Sequence, residues 1–130
     1  MTITVKNMMY VSNPAECVAF WIAAGAEELA RQTIPFGNTA TETVQLAFPG
    51  NPGAVLQFWD VEFIRAASPE VADSRPSLLL CVESLTELHA FHARIATLTD
   101  TASPVHEEMG MFNFADPSGT YFAVQVAAPA

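Results

Sequence analysis

The segment Val11-Ser12-Asn13-Pro14-Ala15-Glu16 has a counterpart 71 residues downstream, Val82-Glu83-Ser84-Leu85-Thr86-Glu87. In each, a valine closes an apolar run, a small polar residue follows two positions on, and a glutamate sits three residues after that. This is a capping-box pattern: a side-chain oxygen at the helix start takes a first-turn N–H, and the glutamate reaches back toward the cap. Pro14 suits the first helical position, where its missing N–H costs nothing. The first helix is expected to reach about Ala24 and to stop at Gly25. The same offset lays Ala90 on Ala19 and Phe91 on Phe20, while an offset of 66 lays Phe114 on Phe48 and Gly119 on Gly53. Two helix starts with the same chemistry indicate an internal repeat.

Working outward, Thr2–Val11 reads as a strand, as do Glu27–Ile34, Thr41–Phe48 and Ala54–Asp60, from their β-branched and bulky residues. Pro35-Phe36-Gly37-Asn38 and Pro49-Gly50-Asn51-Pro52-Gly53 read as the turns between them. Val61–Ala67 suits a short helix, and Ser68-Pro69 and Arg75-Pro76 punctuate a linker. Ser77–Val82 is then a strand again, followed by a helix with Leu85, Leu88, Phe91, Ile95 and Leu98 on one stripe. The expected class is α+β: a single domain over 1–130, built as tandem βαβββ modules. Module 1 spans 1–62, the linker 63–76 and module 2 77–127.

The composition supports that reading. Of 130 residues, 51% are hydrophobic and 15% charged, which excludes a disordered, solvating chain. A domain of this length buries roughly two-thirds of its unfolded surface, so it needs neither disulfides nor a structural metal. Fourteen acids against five lysines and arginines give a net charge of −9. Such a field repels phosphate backbones and anionic headgroups, so neither nucleic acid nor a membrane is an expected partner. It would attract a cation from a distance. Cys17 and Cys81 suit reduced, buried thiols, Met1–Val11 lacks the features of a signal peptide, and no apolar run approaches the roughly 18 residues of a membrane span. A cytoplasmic location is expected.

Three pieces turn the repeat into a resemblance. They are Tyr10-Val11-Ser12-Asn13 at a strand end, Phe20-Trp21 on the helix after it, and Phe114-Ala115-Asp116-Pro117-Ser118-Gly119-Thr120-Tyr121-Phe122. The last is similar to an Asp-Pro-x-Gly-Asn turn before a closing strand. With the βαβββ order, these resemble the vicinal oxygen chelate superfamily, which groups glyoxalase I, bleomycin resistance proteins and extradiol dioxygenases. An unrelated α+β sandwich, such as a ferredoxin-like repeat, is the alternative architecture. The resemblance implies that the modules form a concave mixed sheet with helices on its outer face, around a ligand or metal, and that two chains pair as a homodimer.

Family enzymes take metal ligands from the first and last strands of each module, which implies Lys6, Gln57, Ser77 and Ala123 here. A divalent ion prefers imidazole and carboxylate at such places. Lys and Ala offer no lone pair at neutral pH, and Ser and Gln are weak neutral donors, so no metal and no other cofactor is expected. A one-residue slip in register brings in Asn7, Val5, Phe58, Leu56, Phe122 or Val124 and improves nothing. His89 and His92 lie three apart on the second helix, with no third donor spaced with them. They read as ordinary residues of a helix covering a sheet. His106-Glu107-Glu108 reads as a solvated loop.

Strand alternation then marks the inward parity. Lys6, Met8 and Tyr10 share it with Val55, Gln57 and Trp59, with Ser77, Leu79 and Cys81, and with Tyr121, Ala123 and Gln125. From these, Lys6, Met8, Tyr10, Gln57, Trp59, Ser77, Tyr121 and Gln125 are the candidate ligand-binding residues. The bland alternative is that Met8, Trp59 and Tyr121 only fill space or pack a dimer contact. The expected function is metal-independent binding of a small organic molecule, as in the bleomycin resistance branch. The alternatives are a lyase, isomerase, transferase or dioxygenase-like enzyme using Tyr10, Lys6 or Glu108 in acid/base roles, or a diverged member serving protein association alone. Whether the chain is an enzyme stays open at this level.

Overall fold

In a computed structural model, which describes residues 2–51 and 53–127, the chain divides into two compact units, 1–76 and 77–130. The first contains β1 (Lys6–Val11), α1 (Pro14–Ala23), β2 (Glu27–Phe36), β3 (Thr39–Ala47), β4 (Val55–Asp60) and α2 (Val61–Ala67), then a 3-10 turn at Pro69–Val71. Its sheet has the order β1-β4-β3-β2, with β1 parallel to β4 and the other pairs antiparallel. The second contains β5 (Leu79–Val82), α3 (Leu85–Ala96), β6 (Met111–Ala115) and β7 (Tyr121–Val126), in the order β5-β7-β6. Pro52, assigned to a turn from the sequence, lies outside the described residues.

α1 buries Cys17, Val18, Phe20 and Trp21. Trp21 meets Phe20 and Phe48 edge-on, with ring centroids 5.6 and 6.2 Å apart. Met9, Val11, Leu46 and Phe58 of the sheet are buried as well. The helix ends as expected: Gly25 takes a φ of 119°, and the Ala26 N–H reaches back to the Trp21 carbonyl. Its start differs. Asn13 makes no cap hydrogen bond; its amide donates to Glu16 at 3.0 Å and its oxygen accepts from the Cys17 thiol at 3.4 Å. With ψ at 61°, Asn13 is outside the extended conformation usual at a cap. The second start is a true cap, since Ser84 accepts from the Glu87 N–H and the Glu87 carboxylate accepts from the Glu83 N–H.

The β2–β3 turn is tighter than the sequence suggests. Pro35 and Phe36 extend β2, and only Gly37-Asn38 turns, with Gly37 at φ 58°. Pro35 is tolerated because β2 is an edge strand. β1 is also shorter than expected, starting at Lys6.

Among the described residues the second unit holds three strands where the repeat predicts four. Residues 101–106 run beside β6 but mix side-chain bonds into the ladder. Thr101 Oγ1 accepts from the Ala115 N–H at 2.8 Å and donates to the Ala115 carbonyl at 3.1 Å. Ser103 Oγ accepts from the Asn113 N–H at 3.0 Å, and the Ser103 N–H donates to the Asn113 carbonyl at 2.8 Å. Pro104, without an N–H, interrupts the run. α3 buries Leu88 and Ile95 against the aromatic cluster of Phe112, Phe114 and Phe122. Leu85 and Leu98, expected on the same stripe, are exposed.

Candidate functional site

β1 and β4 pair in the register Met8↔Gln57 and Tyr10↔Trp59, so these four positions share one face. Met9 and Phe58, one residue on, are buried in the core, which fixes the opposite parity. At the end of β4, Asp60 turns the chain by capping α2: its carboxylate accepts from the Glu62 N–H at 2.9 Å. The helix ends in a 2.7 Å bond from the Ser68 N–H to the Ile64 carbonyl, and an exposed Arg65–Asp73 ion pair spans helix and turn at 2.9 Å. Val61, Ile64 and Ala72 form a small apolar cluster, against which Tyr10, Trp59, Phe63 and Val71 pack.

Above that cluster lies a cavity of about 290 Å³, at the small end of the range for organic-ligand sites. Eleven residues line it: Met8 and Tyr10 of β1, Ile34, Pro35 and Phe36 of β2, Trp59 of β4, and Phe63, Ile64, Ala67, Ser68 and Val71 of the segment after it. Four are aromatic and none is charged. Phe63 stacks on Trp59 with centroids 6.4 Å apart and planes at 20°, and meets Phe36 edge-on at 6.0 Å. The Trp59 indole nitrogen is sealed from solvent and has no hydrogen-bond partner.

Of the residues expected from the sequence, the structure brings Met8, Tyr10 and Trp59 together here. Lys6 is exposed at the start of β1, and Gln57 is buried outside the lining. The Gln57 amide donates to Thr43 Oγ1 at 3.1 Å, and that hydroxyl donates to the Phe58 carbonyl at 2.9 Å. Ser77, Tyr121 and Gln125 belong to the second unit. Ser77 is exposed and precedes β5, Tyr121 is exposed at the start of β7, and Gln125 is half-buried opposite Cys81 and Met111. Phe36 and Phe63 are not among the expected residues, because the sequence places Phe36 in a turn and Phe63 in the linker. The signal for Phe63 was present: Asp60 followed by Val61, Phe63 and Ile64 is a capped start with an apolar face.

The positions implied for a metal do not fit one. Lys6 is a cation, Ala123 has no donor, and the Gln57 amide already bonds Thr43. Among the described residues no three His, Cys, Asp or Glu side chains converge. The histidines have other contacts: His89 pairs with Glu107 at 2.7 Å, and His92 meets the Ser103 carbonyl at 2.8 Å while lying edge-on to Phe112. Glu108 sits exposed in the turn before β6. The charged groups held by ion pairs stay out of the cavity lining: Arg65, on α2 beside it, is held protonated by its bond to Asp73. Arg31, bonded to Glu28 and Glu42 on the β2–β3 hairpin, holds the Glu28 carboxyl below its ordinary range.

No protein-family model and no curated protein matches the chain. Solved structures do. TnmS3, an antibiotic binding protein from Streptomyces sp. CB03234, superimposes with a TM-score of 0.66 at 20% identity over 98% of each chain. A glyoxylase/bleomycin resistance protein/dioxygenase domain from Frankia sp. EAN1pec gives 0.66 at 19% identity, again over 98% of each. A variant of the fosfomycin resistance protein FosX from Listeria monocytogenes, complexed with Mn(II) and 1S,2S-dihydroxypropylphosphonic acid, gives 0.69 at 13% identity over 98% of this chain and 94% of that one. At these identities the likeness concerns architecture, and it agrees with the pattern of the sequence: the chain has the glyoxalase/bleomycin resistance fold.

Proposed function

We propose that the chain is a metal-independent binding protein that holds a small, flat organic molecule in the aromatic cavity of its first unit. The observation that carries this reading is the lining, with Tyr10, Phe36, Trp59 and Phe63 among eleven uncharged residues. An aromatic wall without a carboxylate, imidazole or amine supplies contact area, with the Tyr10 phenol as its one titratable group. The antibiotic-binding description of TnmS3 supports the same class of role. The net charge of −9 steers cations toward the protein, yet the cavity offers them no counter-charge, so the favoured ligand is neutral. Pairing of two chains and a cytoplasmic location belong to this reading, with Cys17 and Cys81 as reduced thiols, although Cys81, expected in the interior, is exposed.

The test is a titration of chelator-treated protein with indane, a neutral bicyclic hydrocarbon, followed by tryptophan fluorescence. Trp59 lines the cavity and Trp21 is buried in the core, so the expected result is a saturable change that disappears in Trp59→Phe. No change up to the solubility limit, or a change that requires added divalent metal, overturns the proposal.

A further inference from the structure

The Trp59 indole N–H is the one buried side-chain donor without a partner among the described residues, and it belongs to a residue that lines the cavity. Buried N–H groups are almost always satisfied, because leaving one unpaired forfeits the bond it made with water. Elsewhere this unit follows that rule. The buried Gln57 and Thr43 side chains bond each other and the Phe58 carbonyl, and Asn7 donates to the Val55 carbonyl at 3.1 Å. The exception therefore falls at the candidate site and nowhere else among these residues.

Resting on the binding reading above, we infer that Trp59 is the specificity-determining residue of the cavity, and that the ligand is a neutral aromatic carbonyl compound whose oxygen accepts the indole N–H. Two observations select that class. The donor is neutral and single, so it matches one acceptor oxygen rather than a carboxylate or phosphate, which would enter an uncharged cavity without a counter-ion. Phe63 lies nearly parallel to the indole, so a flat ring finds stacking surfaces already oriented. The indole nitrogen is sealed from solvent, so an acceptor oxygen reaches it only when a neighbouring side chain moves aside.

A matched pair of probes tests the inference. Indane and 1-indanone share one bicyclic skeleton and differ by a carbonyl oxygen. Satisfying an orphaned donor is expected to make 1-indanone bind about five- to tenfold more tightly than indane, beyond its lower hydrophobicity. In Trp59→Phe the ratio of the two affinities is expected to collapse, whatever their absolute values. In the unmodified protein, 1-indanone should also move one of the two indole N–H proton resonances downfield, with indane leaving it in place. If both compounds bind equally and the indole resonance stays put, the inference fails while the binding reading stands. If neither compound binds, both fail.

Discussion

Replacing Thr43 by valine removes one hydroxyl from an otherwise unchanged shape, and the structure sets what that costs. Thr43 is 1% exposed and Gln57 is 6% exposed. The hydroxyl accepts from the Gln57 amide and donates to the Phe58 carbonyl. In Thr43→Val the Gln57 N–H is left buried and unpaired, a loss of about 1–3 kcal/mol, and the Phe58 carbonyl loses one donor. We expect a total destabilisation of about 2–3 kcal/mol. In a urea titration, with a slope of about 2 kcal/mol/M, the midpoint falls by about 1–1.5 M. The companion variant Thr43→Val/Gln57→Leu removes both polar partners and should recover most of the loss, because the penalty lies in the orphaned group rather than in the missing bond. A single-variant cost below about 0.5 kcal/mol, or a double variant costing the sum of its singles, would refute the assignment of Gln57 as a structural amide.

Further outcomes follow from other parts of the molecule. Thr101→Val deletes the hydroxyl that both accepts from and donates to Ala115, and should lower stability by about 1–3 kcal/mol in the same urea assay, with Thr101→Ser restoring most of it. Gly119 turns the chain into β7 at φ 82°, so Gly119→Ala should destabilise by about 1–2 kcal/mol although its Cβ would meet open space. Because Glu28 titrates below its ordinary range, its pairing with Arg31 supports the fold above the unfolded carboxyl's pKa and is lost as the pH falls through the lower, folded value. Glu28→Gln should leave neutral-pH stability almost unchanged, since the pair is exposed; a large loss at pH 7 would contradict that. Sedimentation at tens of micromolar should give twice the mass of the 14.0 kDa chain, and a monomer would remove the pairing from the proposal.

The strands and helices that define the fold were largely legible because each depends on a short-range signal. Alternation put Met9 and Phe58 in the core and Met8, Tyr10 and Trp59 on the other face. Pro14, Gly25 and Ser84 marked helix ends through backbone chemistry specific to those residues. Asn13 misled because its side chain found Glu16 and Cys17, a competition between nearby polar groups that a cap pattern does not resolve. The fourth strand of the second unit was invisible as an exception. Thr101 has the β propensity of a strand residue, and only the structure shows its hydroxyl and that of Ser103 entering the ladder beside Pro104. The candidate site was half legible. Three of its residues followed from strand parity, while Phe36 and Phe63 came from a hairpin tip and a linker, whose placement depends on tertiary packing rather than on any local period.

The central claim is that an uncharged ligand binds in the first unit without a metal. Amide and aromatic chemical-shift mapping of chelator-treated protein with 1-indanone tests it most directly. The account predicts saturable shifts centred on Met8, Tyr10, Phe36, Trp59 and Phe63, unchanged when divalent metal is added back. Shifts centred away from these residues, or binding that appears only with metal, would contradict it.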